Sequence, residues 1–184
     1  MRVQIQNVVA SATFAENFDL NLIASFFPHD TEFKNRFPGL VFTLKKPKTT
    51  MLIFKTGKMI CTGGKGVDEA RRAILLAVQK LKKSGINVAG KPEIKITNIV
   101  ASASLNGFID LDELYSSEGI GGKMIFEPEQ FPALICRWES PQVVFLIFST
   151  GKIVCAGAKE ENDIYEAVED LRQKLEASKL LIRS

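Results

Sequence analysis

The chain of 184 residues states one pattern twice, and this repetition constrains its fold more than any other feature. Ile5-Gln6-Asn7-Val8-Val9-Ala10-Ser11-Ala12 returns 91 residues later as Ile96-Thr97-Asn98-Ile99-Val100-Ala101-Ser102-Ala103. Phe37-Pro38 returns as Phe131-Pro132, and Ile53-Phe54-Lys55-Thr56-Gly57-Lys58 as Ile147-Phe148-Ser149-Thr150-Gly151-Lys152, both 94 residues later. The change of offset places three extra residues in the second copy, between its first strand and Phe131. Such a duplication predicts a pseudo-twofold molecule in which every functional group has a related mate. The copies fall at 1–91 and 92–184. The join from Ser84 to Pro92 is short, so the two are expected to fuse into one continuous sheet.

Composition narrows the class. Nothing apolar reaches the ~18 residues of a membrane-spanning helix, and the opening residues lack the charged-then-apolar run of an export signal. No membrane association is expected. Cys61, Cys136 and Cys155 are odd in number and show no CxxC spacing, which favours reduced, buried thiols over a disulfide framework. The net charge of +3 conceals a division: residues 1–91 carry 15 Lys and Arg against 6 Asp and Glu, and residues 92–184 carry 9 against 15. The basic half suits a polyanion and the acidic half a basic partner. Solvated helix surface accounts for Lys80, Lys82, Lys83, Glu166, Glu169 and Asp170, but less well for basic residues on strands and turns.

Each copy reads as strand, short helix, several strands, long helix. Residues 3–13 alternate, with Ile5, Asn7, Val9 and Ser11 on one face and Val8, Ala10 and Ala12 on the other. Asp19 opens a short helix, and strands follow at 40–46, 49–55 and 58–63, the last two joined at Thr56-Gly57. Ala70, Ala73, Ile74, Ala77, Val78 and Leu81 recur at helical spacing within 68–83. The second copy predicts strands near 94–105, 133–139, 142–149 and 152–157, and helices near 110–116 and 162–177. Gly119-Ile120-Gly121-Gly122 reads as a flexible loop.

The strands pose an energetic question. Met51 and Ile53 oppose Leu52 and Phe54; Val143, Phe145 and Ile147 oppose Val144, Leu146 and Phe148. Both faces are apolar, yet each copy supplies two helices, enough to cover only one. The other face either packs on a second sheet or stays open for a ligand. Few elements remain for a second sheet. With Asn7, Asn98 and Thr62 among aliphatic and phenyl groups, the open face suits a flat, mostly apolar, sparsely polar ligand.

Catalytic chemistry is thin. His29 is the single histidine, and neither paired cysteines nor clustered carboxylates accompany it, so no metal site is expected. No serine or cysteine has an evident base partner. Thr62-Gly63-Gly64-Lys65-Gly66 lacks the spacer of a phosphate loop, and its mate Ala156-Gly157-Ala158-Lys159 keeps only one Gly and the final Lys. A strand-to-helix turn explains both. The chain is expected to be neither an enzyme nor a cofactor carrier.

What recurs instead is phenylalanine: Phe37 and Phe54 are 17 apart, as are Phe131 and Phe148. Phe37 and Phe131 stand beside proline at the entry to a strand, where a bulky side chain often lies at an edge. Arg36, Lys48, Lys58 and Lys65 stand near in the first copy, and Arg137, Lys152 and Lys159 in the second. Apolar wedges flanked by phosphate-reaching cations are the tools of minor-groove binding. These motifs, with Arg36-Phe37-Pro38-Gly39-Leu40 and Glu127-Pro128-Glu129-Gln130-Phe131-Pro132, run through nearly the whole chain in order. In them the chain resembles the TATA-box-binding protein family, most closely its archaeal form.

The resemblance implies an α+β fold: two pseudo-symmetric repeats forming one curved, mainly antiparallel ten-strand saddle sheet, with four helices on the convex face. It implies a general transcription initiation factor that lays its concave face in the minor groove of AT-rich promoter DNA. Phe37 with Phe54, and Phe131 with Phe148, would be wedge pairs that kink the duplex, a mechanism for which this family is itself a reference case. Val9, Val100, Leu52, Leu146, Ile60 and Val154 would press on the groove floor. Asn7, Asn98 and Thr62 would donate hydrogen bonds to bases, and Arg36, Lys48, Lys58, Lys65, Arg137, Lys152 and Lys159 would reach phosphates. Glu127 and Glu129 would dock transcription factor B, with RNA polymerase recruited indirectly. The site of action would be the cytoplasmic nucleoid in an archaeon and the nucleus in a eukaryote.

Departures from the family pattern are specific. Ala156 stands where threonine is expected as the mate of Thr62, and Thr43 where a basic residue is common. The first copy has Thr31 to Arg36 in place of a second Glu-Pro-Glu, and Leu180 to Ser184 is not an acidic tail. A divergent paralogue with altered DNA preference therefore stays open, as does a scaffold whose apolar face grips a polypeptide. A repair-enzyme domain of similar shape is the remaining alternative. Weak homodimerisation of the free protein through its apolar face also stays open.

Overall fold

Alternating strands and two long amphipathic stripes organise the chain into sheet and helix. A computed structural model describes residues 1–118 and 120–183; Gly119, in the predicted glycine-rich loop, and Ser184, at the end of the C-terminal segment, lie outside the described residues. The first copy contributes β1 (Val3–Thr13), α1 (Leu20–Phe26), β2 (Thr31–Phe33), β3 (Leu40–Lys45), β4 (Lys48–Ile53), β5 (Lys58–Gly64) and α2 (Val67–Lys83). The second contributes β6 (Glu93–Ser104), β7 (Phe108–Ile109), α3 (Leu111–Ser116), β8 (Lys123–Ile125), β9 (Leu134–Trp138), β10 (Val143–Ile147), β11 (Lys152–Ala158), α4 (Glu161–Ala177) and β12 (Leu181–Ile182). Ten strands form one sheet in the order β2-β3-β4-β5-β1-β6-β11-β10-β9-β8, and β7 with β12 forms a separate two-stranded ladder. The ladders β2–β3, β3–β4, β4–β5 and β5–β1 are antiparallel, as are β6–β11, β11–β10, β10–β9 and β9–β8.

Contacts divide the described residues into two compact units, and the division runs through β1 and β6. Asn7–Thr97 form the first unit; Met1–Gln6 join the chain from Asn98 onward in the second. Gln6 Nε2 accordingly donates to Ser102 Oγ at 2.8 Å within the second unit. Thr97 Oγ1 donates to Val9 O at 3.2 Å within the first.

In each unit one sheet face is closed by helix. The stripe Ala70, Ala73, Ile74, Ala77, Val78 and Leu81 of α2 is buried, as are Val8, Ala10, Met51, Ile53, Met59 and Cys61 of the sheet. Small residues allow close approach: a Cβ added at Gly64 would lie 3.2 Å from that of Ala70. In the second unit Ile164, Ala167, Val168, Leu171 and Leu175 of α4 are buried, with Ile99, Ala101, Phe145, Ile147, Ile153 and Cys155. Each large aliphatic side chain removed from water contributes about 1.5–3 kcal/mol. Asp19 caps α1 by accepting from Leu22 N at 3.1 Å, and Asp110 caps α3 by accepting from Asp112 N and Glu113 N.

Two features differ from the alternation-based expectation. The strands expected over 49–55 and 142–149 end at Ile53 and Ile147, because Phe54 N donates to Lys58 O (2.8 Å) and Phe148 N to Lys152 O (2.9 Å), and Gly57 and Gly151, at φ +93° and +83°, close the turns. β2, β7, β8 and β12 are two or three residues long, too short for a period to show.

Candidate nucleic-acid interface

In an antiparallel sheet directly opposed residues share a face, so the strand registers define the uncovered surface of each unit. In the first unit Val41, Leu52, Ile60 and Ser11 form one row across β3, β4, β5 and β1. Thr43, Thr50 and Thr62 form the next. Leu52, Ile60, Thr62, Val9 and Asn7 are half-buried although no helix lies over them. Phe37 and Phe54 meet at the edge, ring centroids 5.7 Å apart at 69°. Gly39 permits this packing, since a Cβ there would stand 2.9 Å from the Phe37 ring and 3.0 Å from Ile53 O.

The second unit repeats the arrangement with its own side chains. Ile135, Leu146, Val154 and Ser102 form one row; Arg137, Val144, Ala156 and Val100 form the other. Phe131 and Phe148 meet with centroids 6.3 Å apart at 67°, and Phe131 remains 40% exposed. An aromatic pair in edge-to-face contact, partly in water, is held together yet free to present ring surface outward.

The asparagines show how a polar group is aimed. β5 and β11 each carry a bulge against the repeat's first strand, marked by register breaks at Val8/Ala10 and at Ala156/Ala158. The bulge residues Gly63 and Gly157 have φ of +96° and +100°, which an L side chain resists. Their N–H groups turn out of the ladder and donate to Asn7 Oδ1 at 2.7 Å and Asn98 Oδ1 at 2.8 Å. Since a backbone N–H only donates, each oxygen is fixed as the acceptor end and each Nδ2 as the donor end. In the first unit Asn7 Nδ2 reaches Thr62 Oγ1 at 3.2 Å. In the second Ala156 replaces that threonine, and Asn98 Nδ2 has no protein partner among the described residues.

Cations surround these faces. Arg36, at φ +61°, directly precedes Phe37; Lys48 opens β4 beside Lys45; Lys58 opens β5; Lys65 follows it. In the second unit Arg137 stands opposite Lys123, Lys152 opens β11, and Lys159 follows it. All are exposed. Glu127 and Glu129 lie exposed on the loop before β9, where Glu127 O accepts from Gln130 N and Phe131 N, both at 2.9 Å. The structure does not bring these carboxylates to the sheet rows.

The thiols are chemically quiet. Cys61, Cys136 and Cys155 are free and buried. Burial pushes Cys61 and Cys136 up to about 11 and Cys155 to about 12. His29 is exposed, and among the described residues no group of three His, Cys, Asp or Glu could hold a metal. No helix of the described residues is long and apolar enough to cross a membrane. Thr62 to Gly66 is the end of β5 and the cap of α2, the strand-to-helix turn expected.

Alternation alone assigns Ser11 and Val144 to the open faces, but not Val41, Ile135, Thr50, Ser102 or the two bulge glycines. Their signal was present in the duplication, because each is a repeat mate of another, but membership of a face needs the register.

The family described as "Transcription factor TFIID (or TATA-binding protein, TBP)" matches residues 2–84 and again 93–178. The chain is 45% identical over 173 residues to a TATA-box-binding protein of Sulfurisphaera tokodaii, covering 94% of this chain and 86% of that protein. With a TATA-box-binding protein of Archaeoglobus fulgidus it shares 46% over 176 residues, 95% of this chain and 94% of that one. The solved structure of Methanococcus jannaschii TBP superposes with a TM-score of 0.82 at 40% identity, over 96% of this chain and 99% of that chain.

Proposed function

This chain belongs to the TATA-binding protein family, and from that membership we propose that it is a general transcription initiation factor that binds AT-rich promoter DNA in the minor groove. Each unit lays its open face on the groove. An A·T pair offers acceptors there and no guanine amino group, so aliphatic side chains approach closely and Asn Nδ2 donors find N3 or O2. Val9, Leu52 and Ile60, with Val100, Leu146 and Val154, form the floor contact. Phe37 with Phe54, and Phe131 with Phe148, insert between base steps and kink the duplex. The exposed Lys and Arg side chains reach phosphates. The role is binding, with no catalytic step.

The observation that carries this reading is the recurrence, in each unit, of an uncovered aliphatic sheet face with an edge-to-face phenylalanine pair beside it. Its test is a salt titration of binding to a short AT-rich duplex and to a GC-rich control, with wild type and Phe148→Ala. Selective, salt-sensitive binding that weakens in the variant is expected. Equal or absent binding to both duplexes would overturn the reading in favour of a protein-binding scaffold.

Glu127 and Glu129 dock transcription factor B, which in turn recruits RNA polymerase. Exposed carboxylates off the sheet face suit a basic partner without touching DNA. Reversing both to lysine abolishes the ternary complex and spares DNA binding. A parallel loss of both would refute the assignment.

A further inference from the structure

We propose that the opening residues of the chain build a phosphate cradle that one unit possesses and the other lacks, making the two units unequal in their hold on DNA phosphates. The proposal rests on the minor-groove reading above. In the second unit Arg2, Gln4, Ser102, Ser104, Thr150 and Lys152 line one concavity. Ser104 stands opposite Lys152 and Ser102 opposite Val154, so the hydroxyls lie in the rows of the open face. Gln6, between Arg2 and the sheet centre, is tied to Ser102 Oγ at 2.8 Å, which pins the strand opening against β6. Arg2 has no ion pair among the described residues. Ser104 Oγ donates to Asn106 Oδ1 at 3.3 Å, whereas the Ser102 and Thr150 hydroxyl oxygens accept, from Gln6 Nε2 and Lys152 N, and keep their O–H groups to donate. Two cations with these two hydroxyls form a donor-rich cup, the chemistry that takes a phosphodiester oxygen.

Repetition supplies the comparison. The mates of Ser102, Ser104, Thr150 and Lys152 are Ser11, Thr13, Thr56 and Lys58, and the first unit pairs Thr13 with Lys58 and Ser11 with Ile60 in the same register. The mates of Arg2 and Gln4 are Glu93 and Lys95. There Lys95 Nζ lies 3.3 Å from Glu93 Oε1, so the added cation is neutralised by its own neighbour. The second unit therefore gathers on one concavity two cations with no ion pair among the described residues, whereas in the first unit Lys95 is already paired with Glu93 and leaves Lys58 as the unpaired cation of the matching positions. DNA on the open face of the second unit meets a phosphate-binding group that the first unit lacks, independently of base identity. Arg2 thus acts as a positioning residue that favours one orientation.

The test uses the full chain and an AT-rich duplex carrying single neutral methylphosphonates at successive positions. Removing one phosphate contact lowers the salt slope by about 0.9, which at 0.1 M salt is roughly an 8-fold weaker affinity. Arg2→Gln is expected to show that loss, Arg2→Lys to restore the slope, and both to melt as wild type does. One methylphosphonate position, on one side of the site only, should weaken wild type severalfold and leave Arg2→Gln unaffected. Glu93→Arg should steepen the slope. The proposal is overturned if Arg2→Gln keeps the wild-type affinity and slope while AT selectivity stands. It is also overturned if no methylphosphonate position distinguishes the two proteins, or if Glu93→Arg leaves the slope unchanged. Loss of AT selectivity in wild type itself would instead refute the minor-groove reading, and this proposal with it.

Discussion

Replacing Asn98 with aspartate separates architecture from recognition at a single atom. Asn98 Oδ1 accepts from Gly157 N at 2.8 Å, and a carboxylate oxygen accepts the same N–H at least as well. The bulge should hold, and the melting temperature should stay at the wild-type value or rise slightly. The change falls on Nδ2, whose two hydrogens are replaced by an anionic oxygen. Facing N3 or O2 of a base, that oxygen leaves an acceptor unpaired in a dry interface, at a cost of about 1–3 kcal/mol. Taking about 2 kcal/mol gives roughly 30-fold weaker binding to the AT-rich duplex, before repulsion from the phosphates is counted. Asn98→Ala supplies the contrast, because it removes the Gly157 acceptor as well. Loss of one such hydrogen bond, about 1 kcal/mol, lowers the melting temperature of a chain of this size by about 2–4 °C. Binding is read by anisotropy of labelled duplex. Stability is read by the fluorescence of Trp138, the single tryptophan, which is buried in the same unit and donates from Nε1 to Asp170 Oδ2 at 3.2 Å. Wild-type affinity in Asn98→Asp would show that Nδ2 makes no base contact. A drop in its melting temperature beyond that of Asn98→Ala would show that the bulge does not rest on Oδ1.

Other outcomes follow from the same geometry. With its thiols pushed up to about 11 and about 12, the folded protein should alkylate slowly at pH 8, and all three cysteines should react in guanidinium. Fast native labelling would contradict their burial. Because these folded pKa values lie above the unfolded ones, the associated stability is complete below about pH 8.5 and fades as pH rises towards 11–12. A urea midpoint that does not fall over that range would refute it. On α4, Arg172 bridges Glu169 and Glu176, Arg183 also meets Glu176, and the hydrogen bond from Arg172 holds Glu169 down to about 2. A depressed carboxylate stabilises the fold above its unfolded pKa of ~4.5, and that contribution disappears as pH falls towards 2. Arg172→Ala should therefore flatten the melting-temperature profile between pH 5 and pH 2.5, and an unchanged profile would remove the network from the account. Ile74→Ala, at a fully buried position of α2, should cost about 2–5 kcal/mol in urea unfolding. A cost below ~1 kcal/mol would mean that α2 is not packed as described.

The amino-acid sequence by itself determined the duplication, the alternation that makes β1 and β6 strands, the stripes that make α2 and α4 helices, and the surplus of apolar strand faces over helices to cover them. These are local periods, or comparisons of the chain with itself, and both are carried by the residues alone. The four phenylalanines and the two asparagines were legible for the same reason, since each recurs at a constant offset. The edge strands β2 and β8 and the β7–β12 ladder were not, because two or three residues carry no period and pair only when a neighbour is already in place. The asparagine anchors needed the fold more strongly: Asn7 meets Gly63 across 56 residues and Asn98 meets Gly157 across 59, through bulges that only a ladder register reveals. Tertiary structure also decided that Met1–Gln6 belong with the second half of the chain, which puts Arg2 and Lys152 on the lining of one concavity. A strand's partner is chosen by the hydrogen bonds and packing available around it, and nothing in its own residues records which partner that is.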